Sequence, residues 1–100
     1  MRRSSVQIIG RQRILKAYRK HAEWSASLRA WTRITEEGEW RNFVDVRNSW
    51  RNSDLAGPYV IFDIANNRAR LISIIDYEDQ QVIVDDILTH AEYDRKDFTK

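Results

Sequence analysis

Between Ser49 and Pro58 the spacing of apolar residues changes from helical to extended, and the stretch NSDLAGP marks the change with Asp, Gly and Pro. Before it, Trp24, Leu28, Trp31 and Ile34 recur at intervals of four, three and three, which keeps them on one face of an α-helix. After it, YVIFDIA, ARLISIID and QVIVDDIL are rich in β-branched and aromatic residues, with the turn-like NNR and YEDQ between them. A chain of 100 residues has room for one core. Helices first and strands afterwards therefore predict a single α+β domain over residues 1–100, with two N-terminal helices packed on one face of a small, mainly antiparallel sheet.

The first helix is expected over Arg11 to Lys20, where Ile14, Leu15 and Tyr18 are surrounded by Arg and Lys. The second ends before Gly38, placed where a left-handed residue closes a helix. A third, shorter pattern joins Trp40, Phe43, Val46 and Trp50, and NSDLAGP then serves as a short linker to a three-stranded meander. Val6 to Ile9 is apolar and short enough for an added edge strand. There is no internal repeat and no low-complexity tract.

The absence of cysteine excludes disulfides, thiolate metal sites and cysteine nucleophiles. No apolar run reaches the roughly 20 residues needed to span a bilayer, and MRRSSVQIIG lacks the apolar stretch of a secretory signal. No membrane association and a cytoplasmic location are the expectation. The absence of acidic residues from Met1 to Ala22 resembles a transit peptide only faintly. Charge is divided unevenly: residues 1–51 carry 12 Lys or Arg against 5 Asp or Glu, whereas residues 52–100 carry 5 against 10. The basic half suits a polyanion or an acidic partner, although solvated helix faces carry the same residues.

Near the C-terminus, LTHAEYD gathers groups that bind or move protons at the end of the last strand. Thr89 followed three residues later by Glu92 fits a reciprocal cap on a helix start. His90, Tyr93 and Asp94 are left unexplained by that cap. Histidine titrates near neutral pH and suits general acid or base work, and His90 lies where the sheet ends. His21, in RKHAEW between two helices, has the ordinary surface reading. Arg68 and Arg70 flank the start of the middle strand at alternate positions, where a guanidinium can grip a phosphate or pair across strands with Asp63 or the acidic DYED turn. Nothing in the spacing of His, Asp and Glu suggests a metal site, and there is no glycine-rich phosphate loop or nucleophile elbow. No metal or cofactor is expected.

The strings FDIANNRARLI and VIVDDILTHAEYD, in this order and separation, resemble the C-terminal signature of the HigB family of toxin-antitoxin ribonucleases, with N-x-x-R-L-I followed by T-H-x-E-Y-D. AWTRITEEGEWRNFVDVRNSW resembles the family's tryptophan-bearing second helix and W-x-N-F segment. The resemblance implies a RelE-like α+β fold, metal-independent cleavage of mRNA on the translating ribosome, and a cognate helix-turn-helix antitoxin of the HigA kind. It matches Arg70 to the family arginine and Arg68 to a position often held by lysine, both of which would stabilise the phosphate. His90 would act as acid or base, and Tyr93 would stack on the RNA or donate a hydrogen bond to it. Arg13, Lys16, Arg19 and Lys20 on the basic helix would face ribosomal RNA or the antitoxin.

Three departures qualify the match. Asp85 stands where many relatives carry arginine, with Asp86 beside it, and Ala65 and Ala69 replace a glycine and an aromatic. By strand parity Asp86 shares the face of His90 unless a bulge intervenes. A carboxylate there would oppose phosphate binding, or would hold His90 or an arginine in place. The alternative to the ribonuclease is therefore a catalytically impaired module of the same fold that binds RNA, ribosome or antitoxin without cleavage.

Overall fold

The structure is a computed structural model that describes residues 6–95. Its elements are β1 (Gln7–Ile9), α1 (Arg11–Lys20), a 3-10 turn at Ala22–Trp24, α2 (Ser25–Glu37), α3 (Phe43–Ser49), β2 (Ser53–Ala56), β3 (Tyr59–Ile64), β4 (Ala69–Asp76), β5 (Gln81–Thr89) and α4 (His90–Arg95). The strands form one sheet in the order β1-β5-β4-β3-β2. All neighbours run antiparallel except β1, which lies parallel to β5 with Gln7 opposite Gln81. The α+β architecture anticipated from the change of period is present.

Alternation along the strands sends Val60, Phe62, Ile64, Ala69, Leu71, Val82 and Val84 into the core beneath α1 and α2. Ile14 and Ala17 come from α1, and Trp24, Leu28 and Trp31 come from the second helical segment. Trp31 meets Phe62 edge-on at 5.2 Å, and Trp40 lies against the same ring at 6.1 Å. Truncating Leu28, which is fully buried, would cost about 2–5 kcal/mol in lost transfer energy and cavity formation. Gly10 turns the chain from β1 into α1 at φ 94°, and a Cβ there would come within 2.8 Å of the Val84 carbonyl oxygen. The helix thus starts against the strand it will cover.

Three details differ from the sequence reading. Gly38 is extended, with φ −81° and ψ 161°, not left-handed. Its lack of a side chain admits the Trp40 indole, whose Nε1 would lie 2.8 Å from an added Cβ. Thr35, not Ile34, continues the buried stripe of Trp24, Leu28 and Trp31, because intervals of four, three and four track the helical period longer than a final three. NSDLAGP is not merely a linker: Ser53–Ala56 pairs with β3 as an edge strand, and Gly57 and Pro58 lie between the two. Ala69 opens β4, the start expected for ARLISIID, and Arg68 belongs to the preceding turn.

Candidate active site

The face of the sheet turned away from α1 and α2 carries Asp63, Arg70 and Leu88, set there by register: Asp63 is opposite Arg70, and Arg70 is opposite Leu88. Between β3 and β4 the chain reverses through Ala65, Asn66 and Asn67, with φ of 56°, 55° and 71°. Asparagine tolerates this left-handed conformation better than most residues, whereas alanine does not. The reversal brings the Asn67 carbonyl back over Arg70, whose Nη1 donates to it at 3.0 Å and to the Ala69 carbonyl at 3.3 Å. Arg70 Nε meets Asp63 Oδ1 at 3.1 Å, with both side chains largely covered. The guanidinium lies 5.5 Å from the centre of the Tyr93 ring, at the range of a cation–π contact.

Tyr93 reaches Arg70 because α4 turns sharply at the end of β5. The reciprocal cap is present: the Thr89 N–H donates to Glu92 at 2.9 Å and the Glu92 N–H donates to Thr89 Oγ1 at 3.1 Å. The His90 N–H donates to the Arg68 carbonyl at 2.9 Å, which ties the start of α4 to the hairpin turn. One turn along α4, Asp94 Oδ2 lies 2.9 Å from His90 Nδ1. That contact selects the tautomer protonated at Nδ1 in a neutral ring and leaves Nε2 as the proton acceptor. The His90 side chain is 52% exposed, accessible to a large substrate.

The electrostatics follow from partial burial. Desolvation raises the Asp63 carboxyl above its ordinary value, outweighing the downward pull of Arg70, and Asp54 adds repulsion. Burial likewise raises the Tyr93 phenol, against the pull of Arg70. Tyr93 is therefore a neutral hydrogen-bonding and stacking group near pH 7. The Glu92 carboxyl is held below the usual range, chiefly by the Thr89 N–H.

His90, Arg70 and Tyr93 are thus drawn together. Arg68 joins them through its backbone, and its side chain is exposed. Arg13, Lys16 and Lys20 line a separate groove with His21, across from Asp86, Leu88 and Glu92 of β5 and α4. Arg19 is exposed but does not line that groove. Asp85 is exposed at an irregularity in the β4–β5 register. Asp86, although opposite Ile72, turns its Oδ1 to the Ile87 N–H at 2.9 Å. In the antiparallel ladder fixed by the His90–Arg68 bond, the N–H groups of Ile87 and Thr89 point away from β4. Asp86 and Glu92 therefore serve the outer edge of β5, facing the cations of α1.

Among the described residues the acids that do reach the site are Asp63 and Asp94, with Asp54 close enough to be felt. Asp63 was legible only as one possible cross-strand partner for Arg70. Asp94 lies at the i+4 position from His90, a spacing that puts the two on one helix face once α4 is known.

A mainly antiparallel sheet with its core helices on one face, and a histidine, an arginine and a tyrosine at the end of the other, is compatible with a RelE-like α+β fold. The chain belongs to the HigB toxin family, described as the RelE-like toxic component of a toxin-antitoxin system, which it matches over residues 24–96. β1 and α1 precede the matched span. No curated protein matches the chain. Family membership makes it a toxin with an antitoxin partner. Among the described residues no helix is long and apolar enough to cross a membrane.

Proposed function

We propose that the chain is an endoribonuclease that cleaves mRNA on the translating ribosome, without a metal or other cofactor. Cleavage begins when the 2′-OH attacks the adjacent phosphorus and its proton passes to a base. The P–O5′ bond then breaks, the 5′ oxygen takes up a proton, and a 2′,3′-cyclic phosphate remains. His90, oriented by Asp94, suits either proton transfer. Arg70 stabilises the negative charge that grows on the phosphorane oxygens, and Arg68 adds charge at the hairpin turn. Tyr93, neutral and partly buried, positions the nucleotide by stacking or by its hydroxyl.

The observation that carries this reading is the fixing of Arg70 between Asp63, the Asn67 carbonyl and the Tyr93 ring, on the hairpin whose turn bonds the His90 backbone. Arg13, Lys16 and Lys20, together with the exposed Arg19, would face ribosomal RNA. The antitoxin is of the helix-turn-helix, HigA-like kind, and the pair acts in the cytoplasm. The test is primer extension on a translated mRNA in a reconstituted bacterial system. New 5′ ends are expected with the native protein and none with a His90→Ala variant. Equal cleavage by the variant would remove His90 from the mechanism.

A second reading is favoured by one feature: the site holds Asp63 and Asp94 as well as its cations. Such a balance suits a module that docks on RNA or antitoxin without turnover. Absence of new ends from folded, ribosome-bound protein would decide for it.

A further inference from the structure

Among the described residues Asp63 is the one carboxylate that directly touches the arginine of the site, and it does so from the neighbouring strand. Its Oδ1 takes Arg70 Nε while the Asn67 and Ala69 carbonyls take Nη1, so two of the three guanidinium nitrogens are committed to the protein. Nη2 is the nitrogen that none of these three acceptors claims. The Tyr93 ring and the sheet flank the group, which fixes its plane as well as its position. The carboxylate has a second effect, because it neutralises a charge that phosphate would otherwise meet in full. A salt bridge kept beside a phosphate-binding group trades affinity for geometry, since preorganised cations stabilise developing charge without reorganising during the reaction.

We infer that Asp63 is a positioning residue for Arg70: it orients the guanidinium toward the scissile phosphate at the expense of ground-state affinity for RNA. The inference rests on the ribonuclease reading and deepens it. Only the conformation and charge of Arg70 pass to the substrate, and Asp63 itself need not touch RNA.

The experiment compares native protein with Asp63→Asn, which keeps the size and an oxygen acceptor but removes the charge, and Asp63→Glu, which keeps the charge and displaces it. Turnover should fall about tenfold or more in both, the scale of loss when a charge-stabilising group is misaligned. KM for the programmed ribosome should fall several-fold in Asp63→Asn only. A merely structural role would lower melting temperature without producing this opposed movement of kcat and KM.

Binding supplies a readout that needs no cleavage. In a His90→Ala background, Asp63→Asn should tighten binding to a single-stranded oligonucleotide and steepen the dependence of log affinity on log salt by about 0.7, the increment for one more neutralised phosphate. Unchanged kcat and KM in a folded Asp63→Asn protein would overturn the inference while native cleavage upheld the ribonuclease reading. Binding that is weakened, or equally salt-dependent, in the Asp63→Asn background would overturn it even if the native protein cleaved nothing.

Discussion

Ala65 is at odds with its own backbone. Its φ of 56° is left-handed, and it is followed by two asparagines in the same region. Alanine lacks both the freedom of glycine and the side-chain hydrogen bonds of asparagine, so Ala65→Gly should stabilise the protein by about 1 kcal/mol, measured by urea denaturation. The turn also sets the carbonyl of Asn67 on Arg70, so relief of strain there is expected to leave the Arg70 contacts in place. Thr35 offers a second adjustment. It is fully buried, and its hydroxyl has no hydrogen-bond partner among the described residues. Thr35→Val keeps the shape and removes the orphaned group, and the expected gain is about 1 kcal/mol in the same assay. Ala65 stood out in the sequence only as an alanine in place of the family's glycine, and Thr35 did not stand out, because backbone angle and burial at a single residue depend on neighbours distant along the chain.

At the scale of elements, α4 depends on its cap. Thr89→Ala removes the acceptor for the Glu92 N–H and should cost about 1 kcal/mol at neutral pH. The pH dependence has a definite sign. Glu92 titrates below its ordinary value in the folded protein, so its contribution is complete above that ordinary value and is lost as pH falls through the depressed one. Asp63 runs the other way: its raised value makes its contribution greatest in acid and smaller as pH rises through that value. Melting curves for native protein and Glu92→Gln should differ at about pH 7 and converge toward about pH 3. These elements were largely legible beforehand. The capping pair read directly from its spacing, α1 matched its amphipathic stretch, and the three long strands matched their runs of β-branched and aromatic residues. β2 was hidden because Asp, Gly and Pro read as a break, whereas pairing with β3 is a tertiary fact. The resemblance assigned Arg70 and Tyr93 to one site, but the contact of guanidinium and ring was not legible, since only the fold of α4 over the sheet joins strand to helix.

Across the whole molecule, the two polar surfaces divide the charge that the sequence divides by halves. The α1 wall of the groove is cationic, with Arg13, Lys16 and Lys20, while the cluster on the opposite side of the sheet is nearly balanced. On the proposed ribonuclease reading, long-range attraction to a polyanion would belong to α1 and chemistry to the sheet face. Lys16→Glu with Lys20→Glu should weaken ribosome binding at least tenfold near physiological salt and flatten its salt dependence, measured by co-sedimentation at several ionic strengths. The His90–Asp94 distance should be unaffected, because neither lysine contacts that pair. The carboxylates on the outer edge of β5 have a further consequence, for colloidal behaviour. Among the described residues that strand has no neighbouring strand on its outer side beyond Ile83, yet its outward Ile87 and Thr89 N–H groups already have acceptors in Asp86 and Glu92. A strand whose outward donors are satisfied offers a poor template for another chain, so the protein carries its own guard against fibril growth.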